Sequence, residues 1–493
     1  MAPAISHARS GNREDERPLD PLGAPPTYRE AMSDRPTPTT VGELRASGHT
    51  ARSVRAEIRD NLLAALAAGR DPWPGLHGFG DSVIPQLERA LLAGHDIVLL
   101  GERGQGKTRL LRSLVGLLDE WSPVIEGSEL GEHPFDPISV ESQRRAAEQG
   151  DALPVVWRHR DERYAEKLAT PDTSVADLIG DVDPMRVAEG RRLGDPETIH
   201  FGLIPRSHRG IVAINELPDL AERIQVAMLN VMEERDIQIR GYVLRLPLDV
   251  LVVASANPED YTNRGRIITP LKDRFGAEIR THYPRDLADE VAVIRQEARL
   301  VATVPDALVE IVARFTRALR GSPAVDQRSG VSARFAIAGT ETVAAAALHR
   351  ATIRGEDDAV ARVVDLEAAL DVLRGKVEFE SGEEGREREV LAHLLRTSTA
   401  ETCRHRLGGI DLHLIVDAVE EGTSVTTGER VSAREFLDGL PVLGESDVYD
   451  TIGERAGATT DGERASAIEL ALEGLYLARR ISKDSADGQT VYG

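Results

Sequence analysis

Between an apolar run, Asp96–Leu100 (DIVLL), and a helix-patterned segment, TRLLRSLVGLL, stands the octapeptide GERGQGKT, Gly101–Thr108. Its spacing, G-x-x-x-x-G-K-[ST], is that of a phosphate-cradling loop, and a strand before it with a helix after it is the context that loop requires. Glycines let the backbone fold around phosphates and turn its N–H groups inward. The helix start adds a favourable partial positive charge. The candidate nucleotide contacts are Gly101, Glu102, Arg103, Gly104, Gln105, Gly106, Lys107 and Thr108. Lys107 would neutralise the β- and γ-phosphates and the Thr108 hydroxyl would coordinate Mg²⁺, so ATP and Mg²⁺ are the expected cofactors.

Two further apolar runs end in polar residues suited to the same chemistry. Gly210–Leu217 (GIVAINEL) ends its strand in Asn215-Glu216. A carboxylate at such a strand end can polarise water, so Glu216 is the candidate general base and Asn215 a candidate metal-side residue. Leu251–Asp260 (LVVASANPED) delivers Asn257, whose amide can position a water or contact a γ-phosphate without carrying charge. In open parallel sheets ligands bind at the carboxyl ends of strands. Taken singly, Asn-Glu reads as a solvated strand cap and Asn-Pro as a turn; their order behind the phosphate loop favours the functional reading.

Strand-like runs at Asp96–Leu100, Ile211–Ile214, Val250–Ala254 and Glu278–His282, with helical patterns between them such as Asp81–Ala93 and Ala221–Glu234, predict an α/β fold with a central parallel β-sheet flanked by helices. Ile237–Leu246 (IQIRGYVLRL) alternates about Arg240-Gly241 and predicts a hairpin. Residues 1–40 are rich in Pro, Arg, Asp, Ser and Thr and are expected to be disordered. Residues 41–75 form a helical lead-in, 76–285 the α/β domain, 286–377 a helical segment, and 378–493 a mostly helical C-terminal region that opens with a polar linker, Glu378–Arg388, ahead of helices at Glu389–Ala418 and Arg464–Ile481. Gly131–Tyr164, with Trp157 and the isolated His159, reads as an insertion with a solvated face rather than a partner or metal site.

The formal net charge of −22, with no block of Lys and Arg, argues against nucleic acid as a partner. The single cysteine, Cys403, cannot form an internal disulfide and reads as a helix-packing residue. No apolar run reaches signal-peptide or membrane-span length, and a cytoplasmic protein is expected.

These elements in this order resemble AAA+ ATPases, and more closely the magnesium-chelatase motor (I) subunit and its MoxR-like relatives, over about Pro74 to Arg334. Ala169–Pro184 (ATPDTSVADLIGDVDP) looks like the family's ATEDRVxGxLD loop. His200–Leu217 resembles FxPGLLAxAxRGILxxDEV, SANPED resembles the GxGNPEE region, and Leu271–Gly276 (LKDRFG) matches LLDRFG. The resemblance implies a P-loop AAA+ module followed by a helical lid, an oligomeric ring of hexameric size, and ATP at subunit interfaces. It makes Arg274 the arginine finger and Arg334, in RSGVSARFAIAG, a second sensor arginine on the lid. It also implies remodelling of a protein partner, which in relatives often carries a von Willebrand factor A domain. Alternatives are a motor subunit of a magnesium chelatase, or a transcription regulator or nucleotide-gated scaffold with weak hydrolysis. The family usually has Asp-Glu where this chain has Asn215-Glu216, which weakens support of Mg²⁺ and predicts slow turnover.

Overall fold

The computed structural model describes residues 34–183, 185, 188, 198–233, 237–239, 242–244, 246–257, 265–326, 330–444, 446–486 and 489–493. Residues 1–33 of the N-terminal extension, the hairpin tip Arg240-Gly241 and Pro258–Asp260 therefore lie outside the described residues.

Five parallel strands build the central sheet: β1 (Ile97–Leu100), β4 (Tyr164–Leu168), β7 (Gly210–Asn215), β10 (Val250–Ala256) and β11 (Ala277–Arg280), in the order β11-β1-β10-β7-β4. Their side chains alternate between two cores. Ile97, Leu99, Ile211, Ala213, Leu251 and Val253 join the cluster under helices α2 (Val54–Ala67), α3 (Val83–Leu92) and α4 (Lys107–Ser113). Val98, Leu100, Val212, Ile214, Val252 and Ala254 face the other way, against helices Glu222–Glu233 and Thr269–Arg274. Burial on both faces is why these strands read as continuous apolar runs. Helix α3 turns Val83, Ile84, Leu87, Ala90 and Leu91 inward, a spacing of three and four that one helix face requires.

Four sheet strands lie where the apolar runs predict them. The fifth, β4, falls in the stretch ending at Tyr164 that reads as a solvated insertion and in the polar residues just after it. It is an edge strand, half-buried from Tyr164 to Lys167, so its polar residues hide the strand signal. The insertion also holds β3 (Val155–His159), which pairs antiparallel with β2 (Trp121–Ile125) ahead of it. His159 accepts a hydrogen bond from the Asp161 amide and stacks edge-on against Trp121, a structural role. A short antiparallel pair joins β5 (Gly180–Val182) to β6 (Ile199–Phe201), and β8 (Ile237–Ile239) pairs with β9 (Tyr242–Leu244) as the predicted hairpin.

The lead-in is two helices, α1 (Val41–Ala46) and α2, capped by Thr40 and Ser53. A buried ion pair ties α2 to the sheet: Arg163 donates to both carboxylate oxygens of Glu57 at 2.7 Å and to the carbonyl of Arg209. Glu57 also accepts from the Asp119 amide.

From Ile294 to Tyr492 one apolar cluster runs without interruption on both sides of residue 377, through helices Leu287–Glu297, Asp306–Arg320, Ala333–Arg354, Glu387–Leu407 and Asp461–Leu477. The expected long helix Glu389–Ala418 is broken: it ends at Leu407, before Gly408-Gly409, and resumes as His413–Glu420. The C-terminus adds a small antiparallel sheet of β12 (Val425–Thr427), β14 (Gln489–Tyr492) and β13 (Lys483–Ala486), whose short strands carry no predictive pattern. Cys403 packs inside this core, donates to the Leu470 carbonyl, and has its thiol pushed up to about 12 by burial. Among the described residues, no helix is long and apolar enough to cross a membrane.

Two expectations follow. Glu57→Ala leaves Arg163, only 2% exposed, without its counter-ion, and should destabilise the α/β half by about 3–5 kcal/mol. Urea unfolding followed by tryptophan fluorescence reads that half alone, because Trp73, Trp121 and Trp157 all lie in it. The second expectation concerns acid. His133 and His208 accept backbone N–H bonds at Nδ1, and burial, followed by the charge of Arg209, pulls both imidazoles down to about 3. Unfolded, they titrate near 6.5, so the unfolded state takes up protons first and stability should fall as pH drops from about 6.5 towards 3. His208→Gln should flatten that slope in urea midpoints measured against pH.

Candidate functional site

The carboxyl ends of β1, β10 and β7 lie side by side, with Leu100 paired to Ala256 and Ala254 to Ile214. This register brings Gly101, Asn257 and Glu216 to one edge of the sheet.

After β1 the chain turns through Gly104 and Gly106, both left-handed (φ 74° and 76°), and α4 begins at Lys107. A Cβ at Gly104 would lie 2.1 Å from Cβ of Ser332, and one at Gly101 would lie 1.9 Å from Oγ1 of Thr281. Gln105 braces the loop: its Oε1 accepts from the Glu102 amide and from the Thr281 hydroxyl. Lys107 is 7% exposed, and its ammonium donates to the carbonyls of Gly101 (2.5 Å) and Glu102 (2.8 Å) and to Oδ1 of Asn257 (2.7 Å). Thr108 is half-buried at the start of α4.

Asn257 in turn donates to Oε2 of Glu216 at 3.1 Å, so lysine, amide and carboxylate form one chain across three strand ends. Glu216 holds a left-handed backbone (φ 56°, ψ 48°), rare for a residue with a side chain. Its amide donates to Ser255 Oγ and its carbonyl accepts from the Asp219 amide, which fixes this conformation. Strain of this kind gathers at functional sites. Asn215 is buried, its Oδ1 accepting from Ser255 Oγ (3.0 Å) and its Nδ2 donating to Glu166 (2.8 Å).

The two arginines are placed differently. Arg274 ends a helix on the sheet face opposite α4 and pairs with Glu233, so it is not brought to the loop within the chain. Arg334 is exposed in the first turn of Ala333–Arg354, two residues beyond the Ser332 that abuts Gly104. Groups invisible to sequence reading hold this junction. Arg320 donates to the Val331 carbonyl and to both oxygens of the buried Glu290, and its guanidinium lies 4.2 Å from the Tyr283 ring centroid. The Tyr283 hydroxyl donates to the Arg103 carbonyl in the loop. Glu166 and Arg112 also carry no sequence signal, one on an edge strand without an apolar run and one on a helix face with no motif.

The glycine cradle, the buried ammonium and the nearby Glu216 carboxylate fit a nucleotide triphosphate with its divalent cation. Sheet order, loop and strand-end residues together resemble the nucleotide-binding module of AAA+ ATPases. The chain resembles the magnesium-chelatase motor subunit. It is 27% identical over 215 residues to the magnesium-chelatase subunit ChlI-1 of Arabidopsis thaliana, covering 43% of this chain and 47% of that protein. It is 28% identical over 209 residues to ChlI of Guillardia theta, covering 41% and 54%. The chain thus spans about half the length of the curated relatives it matches. A cryo-EM-based structure of the complex between subunits BchI and BchD of magnesium chelatase aligns with 65% of this chain and 98% of that one, at 20% identity and a TM-score of 0.34. No family model matches the chain.

Gly104→Ala forces both the left-handed backbone and the contact with Ser332. The chain should keep its far-UV circular dichroism. Hydrogen exchange, read by mass spectrometry, should speed up in peptides covering 101–106 and 331–335 and stay unchanged in those covering 391–407.

Proposed function

We propose that this chain binds ATP with Mg²⁺ and hydrolyses it to remodel a protein partner. The observation that supports this best is the buried Lys107 inside a glycine-framed loop, joined through Asn257 to Glu216. Phosphate oxygens would replace the carbonyls that Lys107 now touches, and the loop amides from Gly101 to Thr108 would surround them. When bound, the metal supplies charge neutralisation at the β- and γ-phosphates, held by Thr108 with Asn215 beside it. Glu216 accepts the proton of the attacking water, and Asn257 orients that water against the γ-phosphate. Turnover is expected to be slow, because Asn215 brings no charge of its own.

We read residues 76–285 as the ATP-binding domain, 286–377 as a lid and 378–493 as the C-terminal region. Arg274, away from its own loop and half-exposed, suits a finger reaching the nucleotide of a neighbouring copy, which requires a ring, of hexameric size by analogy. Arg334 suits a lid contact to the γ-phosphate of the same chain. A partner with a von Willebrand factor A domain, and a cytoplasmic location, complete this reading. The similarity to ChlI supports a second reading, the motor of a metal chelatase, which reconstitution with the other subunits and a protoporphyrin would test by absorbance.

Lys107→Ala should weaken ATP binding by about 10–100-fold, as expected for losing charge-assisted hydrogen bonds. Glu216→Gln should bind ATP normally and hydrolyse it about 10²–10⁴-fold more slowly. Arg274→Ala should also bind ATP but lose about 10³-fold in turnover, and mixing it with Lys107→Ala should restore part of the activity. Fluorescent-nucleotide titration and phosphate release read these outcomes. Wild-type protein that binds no ATP in the presence of Mg²⁺ sinks the proposal.

A further inference from the structure

A neutral Asn215 at the end of β7 leaves open which group carries the negative charge beside the metal position. The neighbouring strand offers one. Leu168 of β4 pairs with Asn215 of β7, which sets Glu166 near the same strand ends. Its Oε1 accepts from Nδ2 of Asn215 at 2.8 Å. Arg112 grips the same carboxylate with Nε (2.7 Å) and Nη2 (3.0 Å), and the Tyr164 hydroxyl donates to Oε2 at 3.1 Å. The two-pronged grip of Arg112 pairs this carboxylate with a fixed positive charge. Arg112 stands one turn beyond Thr108 on the same helix, so the two share a face of α4. The carboxylate therefore sits between the helix face that carries Thr108 and the amide of Asn215.

Chemistry fixes the direction of each bond. An ionised carboxylate only accepts, so the Asn215 nitrogen faces Glu166 and its oxygen faces Ser255. Glu166 has four acceptor positions, and Arg112, Asn215 and Tyr164 fill them. It is thus poorly placed to be a metal ligand itself. A carboxylate bonded to an amide N–H shifts electron density towards the amide oxygen and makes that oxygen a better acceptor.

We propose that Glu166 is a positioning residue that supplies, through Asn215, the negative charge that β7 lacks, and so supports the nucleotide-bound Mg²⁺. This rests on the ATP reading above. The Arg112 side chain is 63% exposed and that of Glu166 22%, so the pair also works as an ordinary tie between α4 and β4. A tie alone has no reason to depend on metal. Support of the metal gives a signature that depends on it.

The test compares affinity for a fluorescent ATP analogue in Mg²⁺ and in EDTA, with Mn²⁺ binding to the nucleotide complex read by electron paramagnetic resonance. Removing a group that supports a metal ligand typically costs 10–100-fold in metal affinity. Glu166→Gln should shrink the gain in affinity on adding metal by about 10-fold and leave the EDTA affinity within about 2-fold of wild type. Asn215→Asp alone sets two carboxylates against each other and should lose part of that gain. Combined with Glu166→Gln, the introduced amide donates to the introduced carboxylate, the bond reverses, and the gain should return to wild type or above. Arg112→Gln, at an exposed site, removes the competing cation and should enlarge it. An unchanged metal gain in Glu166→Gln overturns the proposal, as does an equal loss of affinity with and without metal, or a double variant no better than Asn215→Asp. A wild-type protein that binds no ATP in either condition removes the ATP reading itself, an outcome separate from these.

Discussion

An ammonium group taken out of water must be surrounded by oxygen, and Lys107 shows how this chain meets that demand. The glycine loop turns two carbonyls inward and β10 contributes the Asn257 amide oxygen, so the charge is solvated by the protein itself. Much of the surrounding architecture serves that arrangement. The parallel register aligns the strand ends, Thr281 just beyond β11 braces the loop through Gln105, and Glu216 is drawn into the same chain of hydrogen bonds. A triphosphate competes for the lysine against neutral carbonyls and an amide. That exchange favours a multiply charged ligand, since charged acceptors bind an ammonium more strongly than neutral ones.

The parts of the fold legible in the sequence are the ones where a single physical requirement dominates. β1, β7 and β10 are buried on both faces, so their composition is apolar throughout and their positions could be read directly. The phosphate loop was legible because backbone curvature demands glycine at fixed spacing. β4 was not, because an edge strand with half-buried Glu166 and Lys167 has no run of apolar residues to announce it. The break at Gly408 and the short strands at the C-terminus depend on tertiary contacts that local pattern does not contain.

The site followed the same division. Lys107, Asn257 and Glu216, each fixed by a motif or a strand end, come together in space. Arg274 does not join them within one chain, and its pairing with Glu233 sets it on the far face of the sheet. Glu166, Arg112, Arg320 and Tyr283 are scattered in sequence, and only folding makes neighbours of them.

The unbroken apolar cluster from Ile294 to Tyr492 has a mechanical meaning. Helix Ala333–Arg354 touches the phosphate loop at one end, through Ser332 against Gly104, and is welded along its length to everything downstream. Turning it alone would disturb that close packing. A tilt of its first turn would press on the helices packed against it, so the loop and the C-terminal region are mechanically joined. A shift at Gly104 would thus be felt among the C-terminal helices as well as at the loop.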